Sequence, residues 1–301
     1  MQYGIPYMGS KNSIAEDIVN AIPPGGKILD ACCGGGAVLM AAAISMRWSA
    51  VVGNDINPAT IKLLDAVLIN KGQIEYEHPA ACSRVDFFNS IQRIKNGDFD
   101  VQDCVNKYCA SFGNDGKSYI YGESIEEYKL IAEKMLTAPT LSERRSNYRK
   151  FTEICVTGDR INEIQTLERL QRLQRLERLE RLERLERLER LERLDLFDVD
   201  YSEFDIVYFD PPYKGTHEYD FKFDYERFYD LFSSLKIPAF LSEYDAPFEC
   251  VAEFEKPQLF AAFGSTKSTT KEKLYFNGSK ECYKKLMGRF YKEKEVQLSL
   301  F

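Results

Sequence analysis

The stretch that most constrains this chain is Lys27-Ile28-Leu29-Asp30, followed by Ala31-Cys32-Cys33-Gly34-Gly35-Gly36 and then the helix formers Ala37 to Ala43. It reads as a buried strand, a glycine turn and a helix. A second apolar run, Ala50-Val51-Val52-Gly53-Asn54, ends at Asp55, and Asn57-Pro58 opens a further helix through Ile61, Leu64 and Leu68. Strand, helix and strand in that order make a right-handed βαβ unit, so the sheet is parallel and its ligand edge lies at the strand carboxyl ends. Further strands are expected at Phe204–Phe209, which runs into Asp210-Pro211-Pro212-Tyr213, and at Ile237–Ser242. The fold class these segments predict is α/β, a Rossmann-like sheet.

At 301 residues the chain has room for about two domains and a core that needs no disulfide or metal staple. Residues 76–166 are richer in polar and turn residues and break the α/β rhythm. They are expected to form an inserted, mainly helical domain, with 1–75 and 195–301 making the sheet domain. Between them, 167–194 is a triplet array of Leu-Glu-Arg or Leu-Gln-Arg. Its period of three fits no standard solenoid and no coiled-coil seam. Every position favours helix, and each Glu before Glu192 finds an Arg four residues on, as with Glu177 and Arg181. The array is expected to be one helix about 42 Å long, a tolerated expansion or else a partner-binding element.

Several function classes are excluded by composition. The longest apolar run, Ala37 to Ile44, is far short of the roughly twenty residues that cross a bilayer. The first residues, Met1 to Ile22, carry no apolar core of a secretory signal, which predicts a cytoplasmic location. Two histidines and eight cysteines with no CxxC pair leave no metal centre and suggest reduced thiols. A net charge of −7 argues against a uniformly basic coat for nucleic acid, but not against local patches. One such patch is Lys267, Lys271, Lys273, Lys280, Lys284, Lys285, Arg289 and Lys292, opposed by Glu272 and Glu281; Arg144, Arg145, Arg149 and Lys150 form another. These are candidate phosphate contacts.

The glycine turn lacks the dinucleotide pattern, because the third glycine position, counted from Gly34 and Gly36, is Leu39. Asp55, 19 residues after Gly36, is placed to bind a ribose hydroxyl pair. Together these suit a nucleoside cofactor without phosphates. Asp210 to Tyr213, at a strand end, suits an amine conjugated to an aromatic ring, whose lone pair must be localised before it can attack. A carboxylate and a proline-fixed backbone carbonyl can each accept one N–H of such an amine, and an aromatic beside them can stack on a flipped base.

These segments resemble the Dam-like D12-class adenine-N6 DNA methyltransferases of the α arrangement. Ile5-Pro6-Tyr7-Met8-Gly9-Ser10-Lys11 resembles the N-terminal cofactor motif and implies that Tyr7 and Lys11 contact S-adenosylmethionine. Asp30 to Gly36 resembles the glycine motif, with Asp30, Gly34 and Gly36 at the cofactor, although Asp30-Ala31-Cys32-Cys33 stands where the family usually has Glu-Pro-Phe. Asn54-Asp55-Ile56-Asn57 is similar to the ribose motif. Asp210, Pro211, Pro212 and Tyr213 match the catalytic motif, and Asp210 also lies at the cofactor. Asp200-Tyr201 is similar to the pair that brackets the cofactor adenine, with Asp86-Phe87 as a rival. Ser111 to Asn114, Tyr119 to Gly122, Leu241 to Tyr244 and Lys273 to Asn277 resemble further segments of such enzymes.

The resemblance implies metal-free methylation of adenine N6 in double-stranded DNA at a specific short sequence. The enzyme is expected to be a monomer or weak dimer, of phage or bacterial type, in a restriction-modification setting or outside one. The alternatives are a methyltransferase acting on RNA or a protein amide, and a non-enzymatic binding protein that uses the triplet array.

Overall fold

The computed structural model describes residues 3–70, 82–112, 115–120, 140–156, 185–213, 223–257 and 269–288, with single positions 131, 134 and 138. Two compact units divide the chain. The first comprises Met1–Gly4, Lys11–Ile61 and Glu183–Phe301, and the second Ile5–Ser10 and Lys62–Leu182. Residues 62–70, expected with the sheet, therefore cluster with the second unit, and residues 185–194 of the triplet array cluster with the first.

The first unit is built on a seven-stranded sheet. Its strands are β1 Gly25–Asp30, β2 Trp48–Asn54, β3 Leu188–Glu192, β4 Ile206–Phe209, β5 Ala239–Glu243, β6 Glu249–Pro257 and β7 Thr269–Phe276. The order across the sheet is β3-β2-β1-β4-β5-β7-β6. The first five strands are parallel, and β7 runs antiparallel between β5 and β6. Strand order reverses between β1 and β4, the place where open α/β sheets bind ligands. The α/β expectation holds: after the helix α1 (Ala15–Ala21), the βαβ unit read from the sequence is β1, α2 (Ala37–Ser45) and β2.

Every residue of β4 and β5 is buried, as expected for strands covered on both faces. One core layer joins Leu29, Val52, Val207, Phe209 and Leu241 of the sheet to Phe228 and Phe232. Those two phenylalanines sit four residues apart on the helix Tyr225–Ser234, so both face the same side. The Asp224 side chain caps that helix by accepting the Arg227 N–H. Burial at such positions is worth about 3–5 kcal/mol per phenylalanine against alanine.

Strand β3 corrects one expectation. Residues 167–184 lie outside the described residues, but the last full repeats do not continue a helix. Leu188–Glu192 pairs in parallel with β2, Val51 opposite Leu188 and Asn54 opposite Glu192. Helix preference separates ordinary residues by only tenths of a kcal/mol. Leaving buried backbone groups of β2 unpaired costs about 1–3 kcal/mol each. Sheet pairing therefore wins: Val51 donates to the Arg187 carbonyl at 2.7 Å and Asp55 to that of Glu192 at 3.3 Å. Gly53 makes the close approach possible, since a Cβ there would lie 2.8 Å from the Leu191 side chain and 2.9 Å from that of Leu39.

In the second unit, Arg84–Asn96 and Val101–Cys109 are helices, each opened by a capping box: Ser83 with Asp86, and Asp100 with Asp103. Arg93 on the first helix grips the Asp103 carboxylate on the second. Phe87, Cys82, Ala110, Tyr119 and Ile120 form the local core. Leu141–Val156 is a further helix. No described helix is long and apolar enough to cross a membrane.

Candidate active site

The site forms where β1, β2, β4 and β5 end together, with β7 entering from the opposite direction. Asp30, the last residue of β1, is the register partner of Tyr208 on β4, and the next amide, Ala31, donates to the Tyr208 carbonyl at 2.8 Å. The Asp30 side chain is buried, and its Oδ1 has no hydrogen-bond partner. Burial pushes its carboxyl well above the ordinary range, and the nearby Asp210 and Asp55 charges push the same way.

The glycine turn is fastened on both sides. Cys33 donates to the Asn54 carbonyl and Gly36 to that of Cys33, at 2.8 and 2.7 Å. Gly34 and Gly36 have φ of +46° and +74°, a left-handed region that a Cβ makes costly. Gly36 is the N-cap residue of α2 and offers no side-chain cap. Asn54, fully buried, binds the Ala31 and Leu194 carbonyls through its amide and accepts the Leu194 N–H. The ends of β1, β2 and β3 are thereby tied to one another. Asp55 receives the Gly34 N–H at 2.9 Å and the Asn57 N–H at 2.8 Å. Burial raises its pKa, and those two amides oppose the rise.

Beyond β4 the chain turns through Asp210, Pro211, Pro212 and Tyr213. Lys11, only 5% exposed, lies with its ammonium 2.7 Å from Asp210 Oδ1 and 3.1 Å from Glu272 Oε1. The same ammonium is 4.5 Å from the centre of the Tyr213 ring, a cation–π contact. The Tyr213 hydroxyl donates to Glu272, and its ring meets Tyr244 edge-on at 4.8 Å. The Tyr225 hydroxyl holds the Pro212 carbonyl at 2.8 Å. Burial opposes the Lys11 charge, yet Asp210 and Glu272 outweigh it and hold its pKa above the usual lysine value. Glu272 is shifted upward by burial, with Lys11 opposing.

Of the residues read from the sequence, the structure gathers Lys11, Asp30, Gly34, Gly36, Asp55 and Asp210 to Tyr213 along this edge. Asp200 is turned to a local task, accepting the Ser202 N–H and hydroxyl at 3.0 and 2.7 Å to cap a 3₁₀ turn. The Tyr201 hydroxyl donates to the Leu196 carbonyl at 2.7 Å, and its ring lies 5.8 Å from that of Phe209. Tyr7 belongs to the second unit, where its ring lies 5.8 Å from that of Tyr108. The rival pair Asp86-Phe87 is structural: Asp86 completes a capping box and Phe87 is core. Arg144, Arg145, Arg149 and Lys150 are exposed on their helix, as are Lys280, Lys284 and Lys285 near the C-terminal end.

Glu272, a counter-charge to the basic patch in the sequence, is 1% exposed in the site. Its signal was the period of two in β7, since Glu272, Leu274 and Phe276 share a face and all three are buried. Tyr208, whose hydroxyl meets Ser242 at 2.8 Å, was also missed because an all-buried strand shows no alternation. No cluster that could hold a metal ion occurs among the described residues.

Residues 7–135 match the family model described as D12 class N6 adenine-specific DNA methyltransferase. No curated protein matches the chain. Among solved structures, the rRNA methyltransferase aviRa from Streptomyces viridochromogenes is similar at 16% identity, over 88% of this chain and 82% of that one, with a TM-score of 0.32. A score that low carries no argument. Over residues 7–135, then, the chain is similar to the D12 class of N6 adenine-specific DNA methyltransferases.

Proposed function

We propose that the protein transfers a methyl group from S-adenosylmethionine to N6 of adenine in double-stranded DNA, at a short specific sequence. The observation that carries this is Asp210 at the end of β4, beside the β1–β4 reversal and held by the buried Lys11 ammonium. The chain's own residues fit the cofactor. Asp30 offers a buried carboxylate oxygen with no hydrogen-bond partner, Gly34 and Gly36 keep side chains out of the turn, and Asp55 is fixed by two amides. When bound, the cofactor supplies a methyl group whose bond to a positive sulfur breaks with both electrons going to sulfur.

The protein's part is to aim the amine. Asp210 accepts one N–H and the Pro211 carbonyl the other, which turns the nitrogen lone pair toward the methyl carbon. Tyr244, exposed and set edge-on against the buried Tyr213 ring, offers aromatic surface to the flipped base. Asp210 receives the proton that N6 sheds once the N–C bond has formed. Positioning of this kind supplies most of the acceleration. Transfer of labelled methyl groups to unmethylated duplex DNA, with RNA of the same sequence beside it, tests the reading. Incorporation into RNA alone would replace it.

A further inference from the structure

The pairing of Lys11 with two carboxylates is unusual for a group that only has to hold one. Asp210 and Glu272 come from opposite directions, one from the end of β4 and the other from β7, and the ammonium sits 2.7 and 3.1 Å from them. Glu272 and Lys11 are almost wholly buried. The three charges sum to −1, and an unbalanced buried charge is costly. Glu272 also accepts the Tyr213 hydroxyl, so one side chain touches both the cation and the ring beside Asp210.

We propose that Glu272 is a positioning residue for methyl transfer. It acts through Lys11, sharing the ammonium so that Asp210 stays an effective acceptor for the amine. The inference rests on the adenine-methylation reading above. Were Asp210 the only partner, Lys11 would neutralise it and compete with the amine for its oxygens. Glu272 draws the ammonium partly away and leaves the pocket one negative charge, which the positive sulfur of the cofactor offsets. Its second contact fixes Tyr213 relative to the same ammonium.

Glu272→Gln in the full chain tests this, because Gln keeps the size and an acceptor for Tyr213 but removes the charge. The single-turnover methylation rate should fall by at least about tenfold, while the dissociation constant for S-adenosylhomocysteine stays nearly unchanged and the melting temperature does not fall, a loss confined to the chemical step. In a Lys11→Met background the same change should cost nothing further, since effects transmitted through one partner do not add. An unchanged rate overturns the proposal. So does a rate loss matched by lost S-adenosylhomocysteine affinity or stability, or a full additive loss in the Lys11→Met background.

If Glu272→Gln alone does not fold, the double variant compared with Lys11→Met decides: equal rates support the proposal and a further loss overturns it. The unsubstituted protein and Asp210→Ala are assayed alongside. Absence of methyl transfer by the first, or retention of the rate by the second, removes the adenine-methylation reading itself and the Glu272 inference with it.

Discussion

One oxygen of the Asp55 carboxylate receives the Gly34 N–H at 2.9 Å and the other receives the Asn57 N–H at 2.8 Å. The side chain is therefore a strut between the glycine turn and the start of the next helix, and the proposed ribose contact would fall on a carboxylate already fixed in place. Asp55→Ala should weaken S-adenosylhomocysteine binding by roughly 1.5–3 kcal/mol, the range for hydrogen bonds to a charged group. Titration calorimetry measures this, and unchanged affinity would remove Asp55 from the cofactor site.

The proposed methyl transfer places its heaviest chemical burden on Asp210. Asp210→Ala should abolish methyl transfer to DNA. A variant that keeps more than about a tenth of the parent rate, a loss below about 1.4 kcal/mol, would show that the amine is held by other groups.

Asp30 links stability to pH. Burial raises its folded-state pKa, and the Asp210 and Asp55 charges add to the rise. A raised value means the fold prefers the protonated group. The stabilising contribution is then full below the ordinary aspartate value of about 3.9 and is lost as pH rises through the raised value. Asp30→Asn removes that loss, so the variant should melt above the parent at pH 8, with the gap closing toward pH 4. Thermal melts at both pH values are the check, and a gap that does not change with pH counts against a charged, unsatisfied Asp30.

The triplet array makes a prediction of a different kind. Strand β3 is Leu188-Glu189-Arg190-Leu191-Glu192, and Leu185 to Glu189 has the same sequence. Removing 188–190 lets the preceding triplet fill the strand with identical residues, so melting temperature and methylation should stay close to those of the parent. Removing only 188–189 puts Glu186 where Leu188 packs and should destabilise the edge. Equal melting temperatures for the two deletions would show that β3 does not select its residues.

Where local pattern and tertiary demand agreed, the sequence was legible. The βαβ unit, the glycine turn, Asp55 and Asp210 to Tyr213 all lie at strand ends that apolar runs bounded by turn residues announce. It was not legible where partners came from far along the chain. Leu188 to Glu192 has every local mark of a helix, and only the unpaired edge of β2 makes it a strand. Glu272 looked like a solvated counter-charge between Lys271 and Lys273. Its burial depends on β7 running antiparallel to β5, which no local pattern states. Asp200 went the other way, because its motif match could not show that its carboxylate caps its own turn.

The wedging of β7 between β5 and β6 also puts an order in time on the site. Lys11 is made 261 positions before Glu272. At about 5–20 residues per second that is a wait of roughly 13 to 52 s. Until then the buried ammonium has only one of its two anchors, and the Tyr213 hydroxyl lacks this acceptor. A nascent or truncated chain that ends before β7 could complete the glycine turn and the Asp55 strut, and so hold a cofactor, while lacking the anchors that aim Asp210. If Glu272 positions Asp210 as proposed, the topology delays an active DNA-modifying centre until β7 is in place.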